Sequence, residues 1–156
     1  MLVLLNVFFA LTSMLFAQSD NAKVVSIRTI TLNNLVKMPV LGYGTLDLKD
    51  LIGENSVAQA ISLGYRLFDT ATIYGNEEAV GKGIEKSGID RKELFITTKL
   101  WVSDMGYEST KIAFEKSLKK LNLDYIDLYL IHRPRGDVQG SWKAMEEPLL
   151  FRELPI

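Results

Sequence analysis

Four short apolar runs, each followed by a helical stretch, constrain this chain more than anything else in it. Their ends fall at Gly44, Asp69, Lys99 and His132, spaced by 25, 30 and 33 residues. That is the period of a strand–helix unit. Short apolar strands separated by helices imply a parallel sheet covered by helices. Ahead of them, Val25 to Thr31 alternates like a strand, Asn33–Asn34 signals a turn, and Lys37 to Val40 returns. A hairpin is expected there, with Pro39 confining the return to an edge. The architecture so far is α/β: an N-terminal hairpin plus about four βα units.

The individual elements follow from local signals. Leu41 to Thr45 reads as a strand, and Val57 to Leu63 as a helix capped by Asn55 or Ser56 and stopped by Gly64. Leu67 to Asp69 is a strand. Asn76 stands where it can cap a helix from Glu77 to Ser87, ended by Gly88. Leu94 to Lys99 is β-rich and runs into Leu100–Trp101. Ser103 or Asp104 caps a longer helix to Leu121, striped by Phe114, Leu118 and Leu121. Ile126 to Ile131 is the last strand, and Ser141 to Glu147 the last helix.

Composition narrows the chemistry. The net charge is −1 and Lys and Arg are scattered, which offers no nucleic-acid surface. The chain has no cysteine, which excludes disulfides, thiolate metal sites and a thiol nucleophile. Its single histidine makes a His-based metal site a poor fit, and no metal is expected. No Gly-x-Ser-x-Gly elbow is present. What remains is Asp, Tyr, Lys and one His, or chemistry borrowed from a cofactor.

Three successive strand ends carry an ionisable residue, and strand C-terminal ends are where parallel α/β sheets build their sites. Asp69, Lys99 and His132 should therefore converge on Tyr74, five residues past Asp69 in the following loop. A phenol titrates near 10, whereas acid catalysis is best served nearer 7, a gap of about 4 kcal/mol. An ammonium roughly 4 Å away, at an effective dielectric of about 20, supplies about 4 kcal/mol. Lys99 alone suffices in magnitude, with Asp69 holding it and His132 orienting a carbonyl or sharing the proton.

These residues carry a family resemblance. Gly64-Tyr65-Arg66-Leu67-Phe68-Asp69-Thr70-Ala71, followed by Tyr74, Glu77, Val80 and Gly81, resembles the first signature of the aldo-keto reductases. Phe95 to Trp101, Tyr129 to His132, and Gly42-Tyr43-Gly44-Thr45 are similar to further segments of that family. The resemblance spans about Val25 to Glu147. It implies a (β/α)8 TIM barrel, here its N-terminal half, and NADPH-dependent reduction of an aldehyde or ketone to an alcohol. It also implies a catalytic set of Asp69, Tyr74, Lys99 and His132. Gly44, Thr45, Leu46 and Asp69 would touch the nicotinamide ribose side of the cofactor, and Trp101 with His132 the small-molecule carbonyl substrate. Leu46 stands where many relatives carry an aromatic.

The two ends depart from that pattern. Leu2 to Ala17 is apolar apart from Asn6, Thr12 and Ser13, which fits an export signal or membrane anchor. No Lys or Arg precedes the run, however, and Leu15 is larger than a cleavage site favours; the alternative is a start upstream of a domain beginning near Lys23. Residues 1–20 are therefore set apart, 21–147 are the half-barrel, and 148–156 look like neither helix nor a fifth unit. A truncated or frame-shifted product of low or no activity alone is the expectation. The alternatives are a half that pairs with a second half or with itself through its exposed edges, and a non-catalytic, membrane-associated binding subunit. Family chemistry suggests the cytoplasm, the first twenty residues export.

Overall fold

In the computed structural model, residues 27–147 are described. The expected segments at 1–20 and 148–156 lie outside them. The hairpin pairs β1 (Thr29–Thr31) with β2 (Lys37–Pro39) antiparallel, Thr29 opposite Pro39, as a sheet of its own. A second sheet holds β3 (Gly42–Gly44), β4 (Leu67–Asp69), β5 (Phe95–Leu100) and β6 (Leu128–Ile131), parallel and in chain order. Between and after these strands run α1 (Asp50–Ser62), α2 (Glu77–Ser87), α3 (Tyr107–Leu121) and α4 (Val138–Met145). This is the expected α/β order of a partial barrel. Among the described residues no helix is long and apolar enough to cross a membrane.

Strand side chains alternate between faces. Phe68 and Ile96, partners in the β4–β5 register, bury themselves with Val57, Val80, Ile84 and Leu121 from the helices. Tyr129 does the same further along, its ring edge-on to Phe114 at 5.0 Å. Alternation then turns Asp69 and Lys99 to the opposite face, away from the helices.

Helix α2 is wedged between its neighbours. A side chain at Gly81 would begin 2.2 Å from the Leu121 carbonyl oxygen, and one at Gly83 2.6 Å from the Val57 Cβ. Only glycine permits that approach.

Several boundaries differ from expectation. Helix α1 starts at Asp50 rather than Val57: Leu51 and Ile52 face solvent and Gly53 lies inside the first turn, which hides the apolar period. Helix α3 is capped by Gly106 and not by Ser103 or Asp104, because residues 102–104 form a separate tight turn. Gly106 adopts φ +121°, and its N–H is received by the Ser141 hydroxyl at 2.8 Å. Helix α4 starts at Val138, capped by the Asp137 carboxylate accepting from the Gly140 N–H. The last strand begins at Leu128 and not at Ile126; among the described residues the first begins at Thr29, and its expected start at Val25 lies outside them.

Candidate active site

The site forms where β3 to β6 end. Gly44 and Asp69 are register partners across β3 and β4. Lys99 is the penultimate residue of β5, two positions beyond the partner of Asp69, so its side chain reaches back across the strand ends. Its ammonium donates to the Asp69 carboxylate at 2.5 Å and to the Thr70 carbonyl at 2.9 Å. A longer contact of 3.5 Å joins it to the Tyr74 hydroxyl. A charge-assisted bond of 2.5 Å is strong, whereas 3.5 Å is at the limit of bonding. Lys99 is thus held by Asp69 and Thr70, with the phenol within its field.

Tyr74 ends a tight turn, Thr72–Tyr74, that follows β4. The Thr72 hydroxyl donates to the Lys99 carbonyl at 3.0 Å, and Gly75 at φ +65° turns the chain into α2. His132 directly follows β6, its N–H bound to the Leu100 carbonyl at 3.1 Å. Its ring stands edge-on to Tyr74 at 5.6 Å and to Trp101 at 5.2 Å between centroids. The Arg133 guanidinium covers the Trp101 ring at 5.5 Å. Burial holds the His132 pKa below the ordinary histidine value; the charges of Lys99 and Arg133 reinforce this, and Asp69 opposes it. The imidazole is therefore neutral at pH 7. Its Nδ1 is buried without a partner, which leaves Nε2 for any ligand.

The four residues expected to form the catalytic set are thus brought together, and Trp101 adjoins them. The cofactor-facing stretch behaves less uniformly. Gly44 has nothing within 4 Å of where a side chain would begin, and Leu46 is exposed. Thr45 is fully buried instead: its N–H and hydroxyl both donate to the Asp69 carbonyl at 3.0 Å. Its side chain faces inward and its backbone is taken as well, the carbonyl accepting from the Leu48 N–H at 3.0 Å, so the expected cofactor contact at Thr45 finds no free group there.

Two buried polar groups escaped the reading of the sequence. Asn76 occupies the N-cap position of α2 but makes no capping bond; its side chain points into the strand ends. Glu77, 2% exposed, accepts from the Thr98 hydroxyl at 2.7 Å on the helix side of β5. Asparagine and glutamate at a helix start are the ordinary signature of a cap and a favourable first turn, and that signature masked both. Among the described residues no group of three or more His, Asp or Glu side chains is placed to hold a metal.

Comparison with known proteins gives the family of the chain. The family model "Aldo/keto reductase family" matches residues 41–150. The chain is 52% identical over 121 residues to a glyoxal reductase of Bacillus subtilis, covering 76% of this chain and 44% of that protein. It is 52% identical over 123 residues to a morphine 6-dehydrogenase of Pseudomonas putida, covering 77% and 42%. A crystal structure of an aldo/keto reductase from Brucella melitensis superposes with a TM-score of 0.75 at 50% identity, over 77% of this chain and 48% of that one. The Bombyx mori aldo-keto reductase in complex with NADP gives a TM-score of 0.72 at 38% identity, over 80% and 47%. The chain spans less than half the length of these relatives. By sequence and by fold, it belongs to the aldo/keto reductase family.

Proposed function

We propose that this chain carries the proton-donating corner of an NADPH-dependent reductase that converts an aldehyde or ketone to an alcohol. The observation behind this reading is the placement of Lys99, 2.5 Å from Asp69 and 3.5 Å from the Tyr74 hydroxyl. A cofactor ring suits the adjoining surface, because Gly44 beside Asp69 leaves open space where another residue would project. Gly44, Leu46 and Asp69 would hold the nicotinamide ribose side, with Thr45 fixing the turn beneath them. Hydride is the chemistry NADPH brings when bound. Trp101 and neutral His132 would border the carbonyl, its oxygen facing Nε2. Tyr74 gives its proton to that oxygen as negative charge develops there, Lys99 stabilises the phenolate left behind, and Asp69 keeps the ammonium in place.

Tyr74→Phe tests this in a form of the protein that turns over carbonyls. The expected loss of kcat is about 10²- to 10⁴-fold, the usual worth of a general acid, with cofactor binding kept. An unaffected rate would remove Tyr74 from the mechanism. The 156-residue chain alone should oxidise NADPH little or not at all, because among the described residues β3 and β6 each pair on one side only and the corner stays open to water. Those free edges also favour self-association or a partner over an isolated chain. Sedimentation across a concentration series checks this, and a monomer throughout would dismiss it. Dependence on NADPH favours a cytoplasmic setting.

A further inference from the structure

We propose that Asn76 is a positioning residue, whose side chain closes the Tyr74 loop at its base and straps that loop to the turn after β3. This rests on the reading of Tyr74 as proton donor given above. Asn76 is 2% exposed and makes four side-chain contacts. Its carbonyl oxygen accepts from the Thr70 hydroxyl at 2.8 Å, joining the first and last residues of the loop. Its amide nitrogen donates to the Thr45 carbonyl at 2.6 Å and the Leu48 carbonyl at 3.0 Å, with the Thr45 hydroxyl at 3.3 Å. Oxygen and nitrogen of one buried amide therefore serve different chain segments.

What those segments carry gives the contact its meaning. Thr70 lies next to Asp69, and its carbonyl receives the Lys99 ammonium. Thr45 sits between Gly44 and Leu46 and is itself bound to the Asp69 carbonyl. Thr72, inside the loop, is bound to the backbone of Lys99. The Asn76 amide thus joins the cofactor-facing turn to the loop bearing the phenol, and Thr72 ties that loop to the strand bearing the ammonium. An asparagine at an N-cap ordinarily accepts from its own helix, a bond worth about 1 kcal/mol. Asn76 forgoes that bond, and α2 starts without side-chain capping. A buried amide whose donors and acceptor are all engaged holds its neighbours in one arrangement, and removing one partner leaves unsatisfied groups behind.

The chain's single histidine provides a clean probe, since His132 lies edge-on to Tyr74. NMR on the full 156-residue chain would follow two ring–ring cross-peaks, Tyr74–His132 at the site and Phe114–Tyr129 in the core. The His132 titration would be read in the same samples. Thr70→Val and Asn76→Ala should weaken the Tyr74–His132 cross-peak at least about threefold and leave the core cross-peak intact. Distances govern cross-peak intensity steeply, so a small outward swing of the loop suffices. With the imidazole less covered, its midpoint should also rise toward about 6.5, Lys99, Arg133 and Asp69 being unchanged. Thr70→Ser, which keeps the hydroxyl, should restore both readings. Unchanged cross-peak and midpoint in both weakened variants would overturn the proposal. Loss of both cross-peaks together would also overturn it, by making the network a general stabilising element. None of these readings needs turnover, so an unaffected rate in Tyr74→Phe, measured in a form that turns over carbonyls, would count against the reductase reading alone.

Discussion

Two ion pairs sit at opposite ends of the same sheet. At the N-terminal end, Arg91 meets Asp127 at 2.6 Å, with side chains 17% and 10% exposed. At the C-terminal end, Lys99 meets Asp69 at 2.5 Å, with side chains 13% and 36% exposed. Their surroundings differ. Arg91 also donates to the Leu94 and Tyr125 carbonyls and stacks on the Tyr125 ring at 3.9 Å, while Asp127 accepts the Ile96 N–H. That pair is bound up with the backbone of its own fold. Lys99 faces a phenol at 3.5 Å, and its carboxylate partner keeps an open side. One pair uses its hydrogen bonds on structure; the other leaves part of its field free for a reacting group.

Replacing each pair in turn tests that distinction. The largest effect should come from Lys99→Met in a form that reduces carbonyls. With no ammonium to favour the phenolate, kcat should fall by about 10²- to 10⁴-fold. Stability should change far less, by about 1 kcal/mol or under, because the Asp69 carboxylate stays in contact with water. Urea denaturation would read the second quantity, and a large loss of stability would erase the contrast. Asp127→Ala should do the reverse. Breaking a mostly buried pair and stranding Arg91 costs about 3–5 kcal/mol, a large share of a small domain's stability.

The smallest effect concerns His132. Its NMR midpoint should lie below about 6.5. Arg133→Gln should raise it, and Lys99→Met should raise it more, following the order of the two charges. Since the folded value is depressed, the unfolded chain takes up the proton first as the pH falls. The neutral imidazole therefore costs no stability above about 6.5, and stability declines as the pH drops through the folded value. His132→Gln should flatten that acid-side decline, and an unchanged pH profile would show that the imidazole is less covered than its neighbours imply.

How much of this was legible in the sequence depended on whether the signals were local. Leu67–Asp69 and Glu77–Ser87 fall where they were expected, residue for residue, because glycines or a helix start bound each of them closely. Asp69, Tyr74, Lys99 and His132 were legible as a group because parallel strands bring their ends together whatever the helices between them do. The start of α1 was not, since its first turn exposes Leu51 and Ile52 and packs Gly53 against the Leu48 carbonyl. Both features depend on tertiary contacts. Asn76 was misread for a related reason: a capping residue and a buried clamp look alike until the chain around them is folded. Thr45 looked like a ligand contact and proved to be an anchor for the Asp69 carbonyl.

The close fit of Gly81 against Leu121 gives α2 a further property. Asn76 stands at the head of this helix, and Gly81 sits about one and a half turns along it. A methyl group there would act as a shim. Gly81→Ala should cost about 1–3 kcal/mol through overpacking, measurable as a lower urea midpoint. Because the helix is stiff, the strain should also tilt its head and slacken the strap to the phenol loop. The site would thus have a distant adjusting point, where a single carbon atom changes the aim of Tyr74 while every reacting group keeps its identity.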